Sequence, residues 1–235
     1  RSGKTTLCDV LSGIIPNIVS GHVSGTVRLG EFSPFEAFDE YNFHTGVVLQ
    51  NTAGQLSGLS DTVFDEIAFG LINQGMSEEE AAKSVVRAAC QMGLEDLLEQ
   101  APDTLSGGQT QRLAIASEIA FDPEFLIMDD PTSQMDPVGR KEFFEWLAGC
   151  SEKTIFIVSN EVDDLCEIAD QLWVLEKGEL IASGKPLDVI NQVAEGHDLY
   201  LPVVYRMAKE LGKKLPSGLF PVKLSELKGC FDDQN

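Results

Sequence analysis

The chain has 235 residues, 43% of them hydrophobic, and carries 38 acidic against 17 basic side chains for a net charge of −21. That length suits one α/β domain with room for a smaller subdomain. The acidic balance repels phosphate backbones and so excludes general nucleic-acid binding, while leaving a local nucleotide pocket open. Cys8, Cys90, Cys150, Cys166 and Cys230 show no CxxC spacing, so neither a zinc site nor a redox motif is indicated; they read as small core residues in a reducing cytosol. No apolar run approaches the roughly 18 residues of a membrane span, so any membrane link is expected through a partner. The chain opens RSGKTTL without Met. A missing natural N-terminus is therefore expected, and targeting is not read from it.

In chain order, a helix is expected over 4–13 and a strand over TGVVLQ, 45–50. A helical subdomain is expected over about 71–122, inserted in the sheet. Its SEEEAAKSVVRAACQM segment, 77–92, opens on a capping box of Ser77 and Glu80, and a further helix is expected near 94–100. Helices over 110–121, 137–148 and 161–168 alternate with strands FLIMDD, 125–130, TIFIVSN, 154–160, and QLWVLEKGEL, 171–180. The near-continuous apolar runs of 125–130 and 154–160 suit parallel strands buried on both faces. The alternation predicts an α/β sandwich. The tail, 186–235, mixes a short helix over 203–212 with Pro- and Gly-punctuated segments.

Three stretches carry chemistry. GKTT, 3–6, is the end of a Walker A loop whose first Gly would fall before residue 1. Gly3 lets backbone N–H groups approach phosphate oxygens, Lys4 supplies charge to the β- and γ-phosphates, and Thr5 supplies a hydroxyl to Mg²⁺. Ser2 and Thr6 flank these groups, and the following helix points its positive end at the anion. FLIM then runs into Asp129 and Asp130. Alone, an acid there suits a solvated turn; together with GKTT it suits the Asp that holds Mg²⁺ at a strand's carboxyl end. In LSGGQTQRLAIASEIA, 105–120, Ser106 can cap a helix whose first N–H groups are bared by Gly107 and Gly108. That makes a second anion-binding helix start without a lysine.

LSGGQ, 105–109, resembles the signature motif of ATP-binding cassette (ABC) ATPases. Gln50 in VVLQN resembles the Q-loop, FLIMDDPTS the Walker B motif, SQMD, 133–136, the D-loop, and IVSNEVDDL, 157–165, the switch-histidine segment. The resemblance covers nearly the whole chain. It implies a P-loop NTPase, an ABC-type nucleotide-binding domain over 1–185 with the inserted helical subdomain, N-terminal strands truncated, and a C-terminal extension over 186–235. It implies ATP and Mg²⁺ as cofactors, with Thr5, Gln50 and Asp129 toward the metal. Ser2 to Thr6 on one subunit, and Ser106, Gly107, Gly108 and Gln109 on the other, would enclose ATP in a head-to-tail dimer. GIIPNIVSGHVSGTVRLG, DTVFDEIAFGL and PTSQMDP look like the ATPases of energy-coupling-factor importers, which take up vitamins or transition-metal ions. That likeness implies a second ABC ATPase as an unlike chain or fused half. It also implies a transmembrane subunit coupled through residues 50–104, and a peripheral place on the cytoplasmic face of the membrane.

This sequence departs from the family at three positions. Asp130 stands where most members have a Glu that polarises the attacking water, and is shorter by one methylene. A misplacement of about 1 Å can cost on the order of 10²-fold in rate. Asn160 stands at the switch His; it can donate a hydrogen bond toward a γ-phosphate but cannot become cationic. Arg1 stands where the loop usually has another Gly. Asp130, Asn160 and Gln50 are the expected catalytic group, in an own-site that is expected to bind ATP and to hydrolyse it weakly. The alternatives are a non-hydrolytic regulatory half of an asymmetric dimer, or a soluble cassette acting on DNA or ribosomes. Acidic charge and the lack of a coiled-coil insertion or second cassette oppose the latter. His22, His44 and His197 have no metal-ligand spacing, and Trp146 and Trp173 read as core. Without the first strands the chain is expected to leave a gap in the sheet and to aggregate.

Overall fold

A computed structural model describes residues 2–197 and 199–232. They form two compact units, one of residues 5–158 and the other of residues from 159 onward with the stretch ending at Lys4.

In chain order the larger unit contains α1 (Lys4–Leu11), the single turn α2 (Ile14–Asn17), α3 (Phe38–His44), β1 (Thr45–Val48), α4 (Val63–Asn73), α5 (Glu78–Met92), α6 (Gly107–Ile119), β2 (Phe125–Asp129), α7 (Pro137–Ala148) and β3 (Thr154–Val158). The three strands form a parallel sheet in the order β1–β2–β3. Ile127 pairs with Val47 on one side and Phe156 on the other. All five β2 residues are buried, as an apolar run flanked by strands on both sides requires. On β3 only Val158 is buried. Among the described residues that strand pairs with β2 alone.

The helices form where their caps and apolar spacing dictate. Thr62 caps α4 by accepting from the Asp65 N–H at 3.0 Å. Ser77 and Glu80 close the expected capping box of α5. That helix ends on Gly93 in the left-handed region, φ 63°, a conformation Gly adopts without Cβ strain. Ala81, Val85, Ala88, Ala89 and Met92 make its buried stripe, and α4, α5 and α6 pack on one another. Gly70 lets the Phe121 ring lie on α4: a Cβ there would stand 2.6 Å from its Cζ. Cys90 lies on the exposed face of α5, against the expected core position. The helix expected near 94–100 is a 3-10 turn at Glu95–Leu97. The carbonyls of Leu98 and Gln100 instead accept the Phe64 and Val63 N–H groups at 3.0 and 2.9 Å. They serve orphan donors at the start of α4.

The second unit contains α8 (Val162–Ile168), β4 (Leu172–Glu176), β5 (Glu179–Gly184), α9 (Pro186–Val193), α10 (Val203–Glu210) and α11 (Leu224–Asp232). The single strand expected over 171–180 is an antiparallel hairpin. The chain reverses at Lys177 and Gly178, with φ of 52° and 88°, the left-handed pair that suits a two-residue turn between twisted strands. Trp173 on this two-stranded ribbon is 47% exposed; the core reading is corrected. Cys166, Ile190, Tyr205 and Val222 form one core cluster.

Candidate functional site

At the carboxyl end of the sheet, Asp129 ends β2 at 4% exposure, and its Oδ2 has no hydrogen-bond partner. Thr132, three residues on, is equally buried, with an unpartnered Oγ1. A buried, unpaired carboxylate oxygen is costly unless a cation or donor meets it. The site therefore fits a hard divalent cation, which takes carboxylate and hydroxyl oxygens.

Beneath Asp129, Cys8 of α1 packs with Ile127 and Val158. Its thiol is pushed up to about 12, first by burial and then by the Asp129 and Asp9 carboxylates. The Asp9 carboxyl is raised by burial and by Asp129. Both groups therefore feel the Asp129 charge, and α1 runs beside the end of β2. Thr5 stands three and four residues before them, on the same helix face, at the exposed start of α1. Thr6 is exposed there too.

Ser2, Gly3 and Lys4 belong to the other unit. Gly3 has φ 94°, a left-handed conformation open to Gly. The Lys4 ammonium donates to Ser2 Oγ at 3.4 Å, and Ser2 O accepts from the Gly178 N–H at 3.0 Å. Asn160 is exposed just ahead of α8, its carbonyl accepting the Val162 N–H at 3.0 Å.

The signature segment begins α6 as expected. Ser106 accepts from the Gln109 N–H at 3.4 Å, while Gln109 Oε1 accepts the Ser106 N–H at 2.8 Å. Ser106 and Gly107 are exposed, so this helix start is open to an anion. Gly108 is closely approached: a Cβ there would sit 3.2 Å from the carbonyl oxygen of Gln134. The loop after β2 thus lies across the signature glycines.

Asp130 has φ 51°, in the left-handed region that Asp tolerates better than most residues. Both of its main-chain groups are held. Its N–H donates to Val158 O at 2.7 Å, and its carbonyl accepts from the Gln111 Nε2 at 3.2 Å. Gln111 Oε1 accepts the Gln134 N–H at 2.9 Å. Gln111 is fully buried and ties α6 to the loop after β2. The sequence reading passed over it: Gln111 stands between Thr110 and Arg112, and its local sequence does not mark it as buried.

Gln50 lies exposed just beyond β1. Five residues on, Gln55 makes the hydrogen bonds of this segment: its Oε1 accepts the Leu49 N–H at 3.0 Å, and its Nε2 donates to Glu118 Oε1 at 2.8 Å. Neither Gln55 nor Glu118 was expected from the sequence.

A family model described as ABC transporter matches residues 2–133. An ABC transporter ATP-binding protein of Pyrococcus horikoshii is 37% identical over 219 residues, 91% of this chain and 76% of that one. The energy-coupling factor transporter ATP-binding protein EcfA2 of Streptococcus pneumoniae is 35% identical over 234 residues, 97% of this chain and 83% of that one. The structure of cbiO1 from Clostridium perfringens, part of the ABC transporter complex cbiONQ, superposes with a TM-score of 0.71 at 27% identity, covering 92% of this chain and 81% of that one. A strand-end acid beside a glycine-led helix, the LSGGQ helix start and these likenesses agree: the chain belongs to the ABC transporter ATP-binding family and has its P-loop cassette fold.

Proposed function

We propose that this ABC ATPase powers a membrane importer of the energy-coupling-factor type, for vitamin or metal-ion uptake. The observation that carries the reading is the buried Asp129 carboxylate, with one oxygen unpartnered, at the strand end beside α1. Thr5, Gln50 and Asp129 would hold Mg²⁺, which when bound offsets charge on the β- and γ-phosphates. Ser2, Gly3, Lys4 and Thr6 bind the phosphates from one side. Ser106, Gly107, Gly108 and Gln109 serve the site of a second cassette, an unlike chain or fused half, in a head-to-tail dimer. The likeness to EcfA2 across 97% of this chain supports the subfamily.

The importer's transmembrane subunit docks on residues 50–104, within and ahead of the helical subdomain over about 71–122. There Leu59, Phe69 and Ile72 expose apolar surface. No helix among the described residues is long and apolar enough to cross a membrane. The reading places the chain peripherally on the cytoplasmic face, with residues 1–185 as the ATPase domain and 186–235 as its extension.

A second reading concerns Asp130 and Asn160: the chain's own site binds ATP but hydrolyses it weakly, and its signature completes a competent site on an unlike partner. The pinned backbone of Asp130 favours it, because the main chain cannot advance to restore the missing methylene. The experiment is MgATP binding and steady-state hydrolysis by the natural full-length polypeptide beside its Asp130→Glu/Asn160→His variant. Tight binding, negligible turnover and a gain in the variant establish the weak own-site. Robust turnover in the unmodified chain refutes it, and absence of MgATP binding refutes the ATPase reading itself.

A further inference from the structure

β1 pairs only with β2 among the described residues, so one edge of it has no strand to bond. Two side chains occupy that edge instead. The Gln55 amide accepts the Leu49 N–H at 3.0 Å and donates to the Val47 carbonyl at 2.5 Å. Glu118 Oε2 accepts the Val47 N–H at 3.1 Å, and its Oε1 accepts the second Gln55 N–H at 2.8 Å. One side-chain amide thus serves a carbonyl and an N–H two residues apart, as the backbone of a neighbouring strand would. Every polar atom of the Gln55–Glu118 pair is engaged, the condition under which a partly buried network specifies one geometry.

The clamp sits where the family's Q-loop must be held. Leu49 and Gln55 are its two ends, and Gln50 to Gly54 are the loop between them, with a 3-10 turn at Thr52–Gly54. Two residues further on, Ser57 donates through its hydroxyl to buried Glu66 of α4 at 2.6 Å, so the chain is fixed again where it enters the helices. Glu118 lies on α6, the helix that Ser106 to Gln109 begin. Gln50 itself is exposed and follows directly on Leu49, whose N–H the clamp holds.

We propose that Gln55 and Glu118 are positioning residues: they close the Q-loop on the edge of β1, aim Gln50 at the metal–nucleotide site, and tie that aim to the signature helix. The proposal rests on the reading of Gln50 as a residue toward Mg²⁺. It differs from general support of the fold in acting through one side chain, and a double-mutant cycle isolates such coupling.

The test uses the natural full-length polypeptide, with Gln55→Ala, Glu118→Ala, Gln50→Ala and the pair Gln50→Ala/Gln55→Ala. Two quantities are read: amide hydrogen exchange across 47–55, and the factor by which Mg²⁺ improves ATP affinity. Exchange across 47–55 is expected to rise about 5- to 10-fold in Gln55→Ala and Glu118→Ala, the loss of one or two hydrogen bonds. Affinity for ATP without Mg²⁺ should hold, while the gain on adding Mg²⁺ falls as far as in Gln50→Ala. The pair should be no worse than Gln50→Ala alone. Glu118→Gln keeps the volume and one acceptor, and should recover part of the loss. Unchanged exchange, additive losses in the pair, or an equal loss of Mg²⁺-free affinity would each overturn the proposal. If the unmodified chain gains nothing from Mg²⁺, the metal reading of Gln50 fails with it, and the unmodified chain alone reveals that.

Discussion

Glu118 gives the molecule a pH-dependent stability that can be worked from the structure. Its carboxyl is pushed up from the ordinary 4.5 to about 7 by burial, against the pull of the hydrogen bonds from Val47 and Gln55. Folded protein therefore binds the Glu118 proton more tightly than unfolded protein does. Between about pH 4.5 and 7 the native state holds more protons, so stability falls as pH rises through that window and levels off above it. The displacement corresponds to about 3 kcal/mol. That figure is an upper limit, because Glu118 is only partly buried and borders a cleft of about 210 Å³ that also touches Asn42 and Gln74. The perturbation is Glu118→Leu, which removes the ionisable group at similar size. Urea unfolding from pH 4.5 to 8 should show the wild type losing up to about 3 kcal/mol relative to the variant across the window. The two stability curves running parallel would refute the reasoning. A wild type that gains on the variant as pH rises would mean that the hydrogen bonds, not burial, dominate.

Replacing Asp129 by Asn should raise the melting temperature of the nucleotide-free protein, because it removes the charge from a buried carboxyl whose Oδ2 has no partner and relieves its repulsion with Asp9. It should also abolish the extra stabilisation that MgATP gives over ATP alone, read in the same thermal melts. Gly70→Ala should cost about 1–3 kcal/mol, since its Cβ would press on Phe121 at 2.6 Å and overpacking is relieved only by moving the ring; denaturant midpoints check it. Thiol labelling of native protein should proceed at exposed Cys90 well before buried Cys8 and Cys166, whose thiols are both pushed up to about 12 by burial. Mass spectrometry of the labelled peptides would show the order.

Elements with local signals were legible: α7 at 137–148, the capping box of α5, and the apolar run of β2 that ends on Asp129. What failed was decided by distant partners. The segment 94–100 has helical composition, yet its carbonyls are drawn off to serve the start of α4, some thirty-five residues earlier. The hairpin at 177–178 was hidden because Lys177, not Asn or Asp, takes the left-handed conformation there. At the site, motif residues could be named from spacing, but Gln111 and the Gln55–Glu118 pair could not. Gln111 bonds a loop 19 residues on, and Gln55 meets Glu118 across 63 residues. No periodicity joins such groups; only the fold does.

The adjacent acids of β2 separate by backbone. Asp129 keeps extended geometry and is carried into the interior with an oxygen unserved. Asp130 swings into the left-handed region, where the residue is part-exposed and its main chain is held on both sides. The two carboxylates thus differ in solvation, and their chemistry follows from it. The buried one carries an unserved oxygen as a standing cost, the feature on which the proposed cation role rests, while Asp130 keeps partial access to solvent. A Glu at 130 would reach further, but it would enter a conformation that Asp occupies more readily. A gain in hydrolysis by Asp130→Glu should therefore come with a small loss of stability, on the order of a few tenths of a kcal/mol. A variant that gained activity and stability together would mean that the backbone at 130 is not held as the Val158 and Gln111 hydrogen bonds imply.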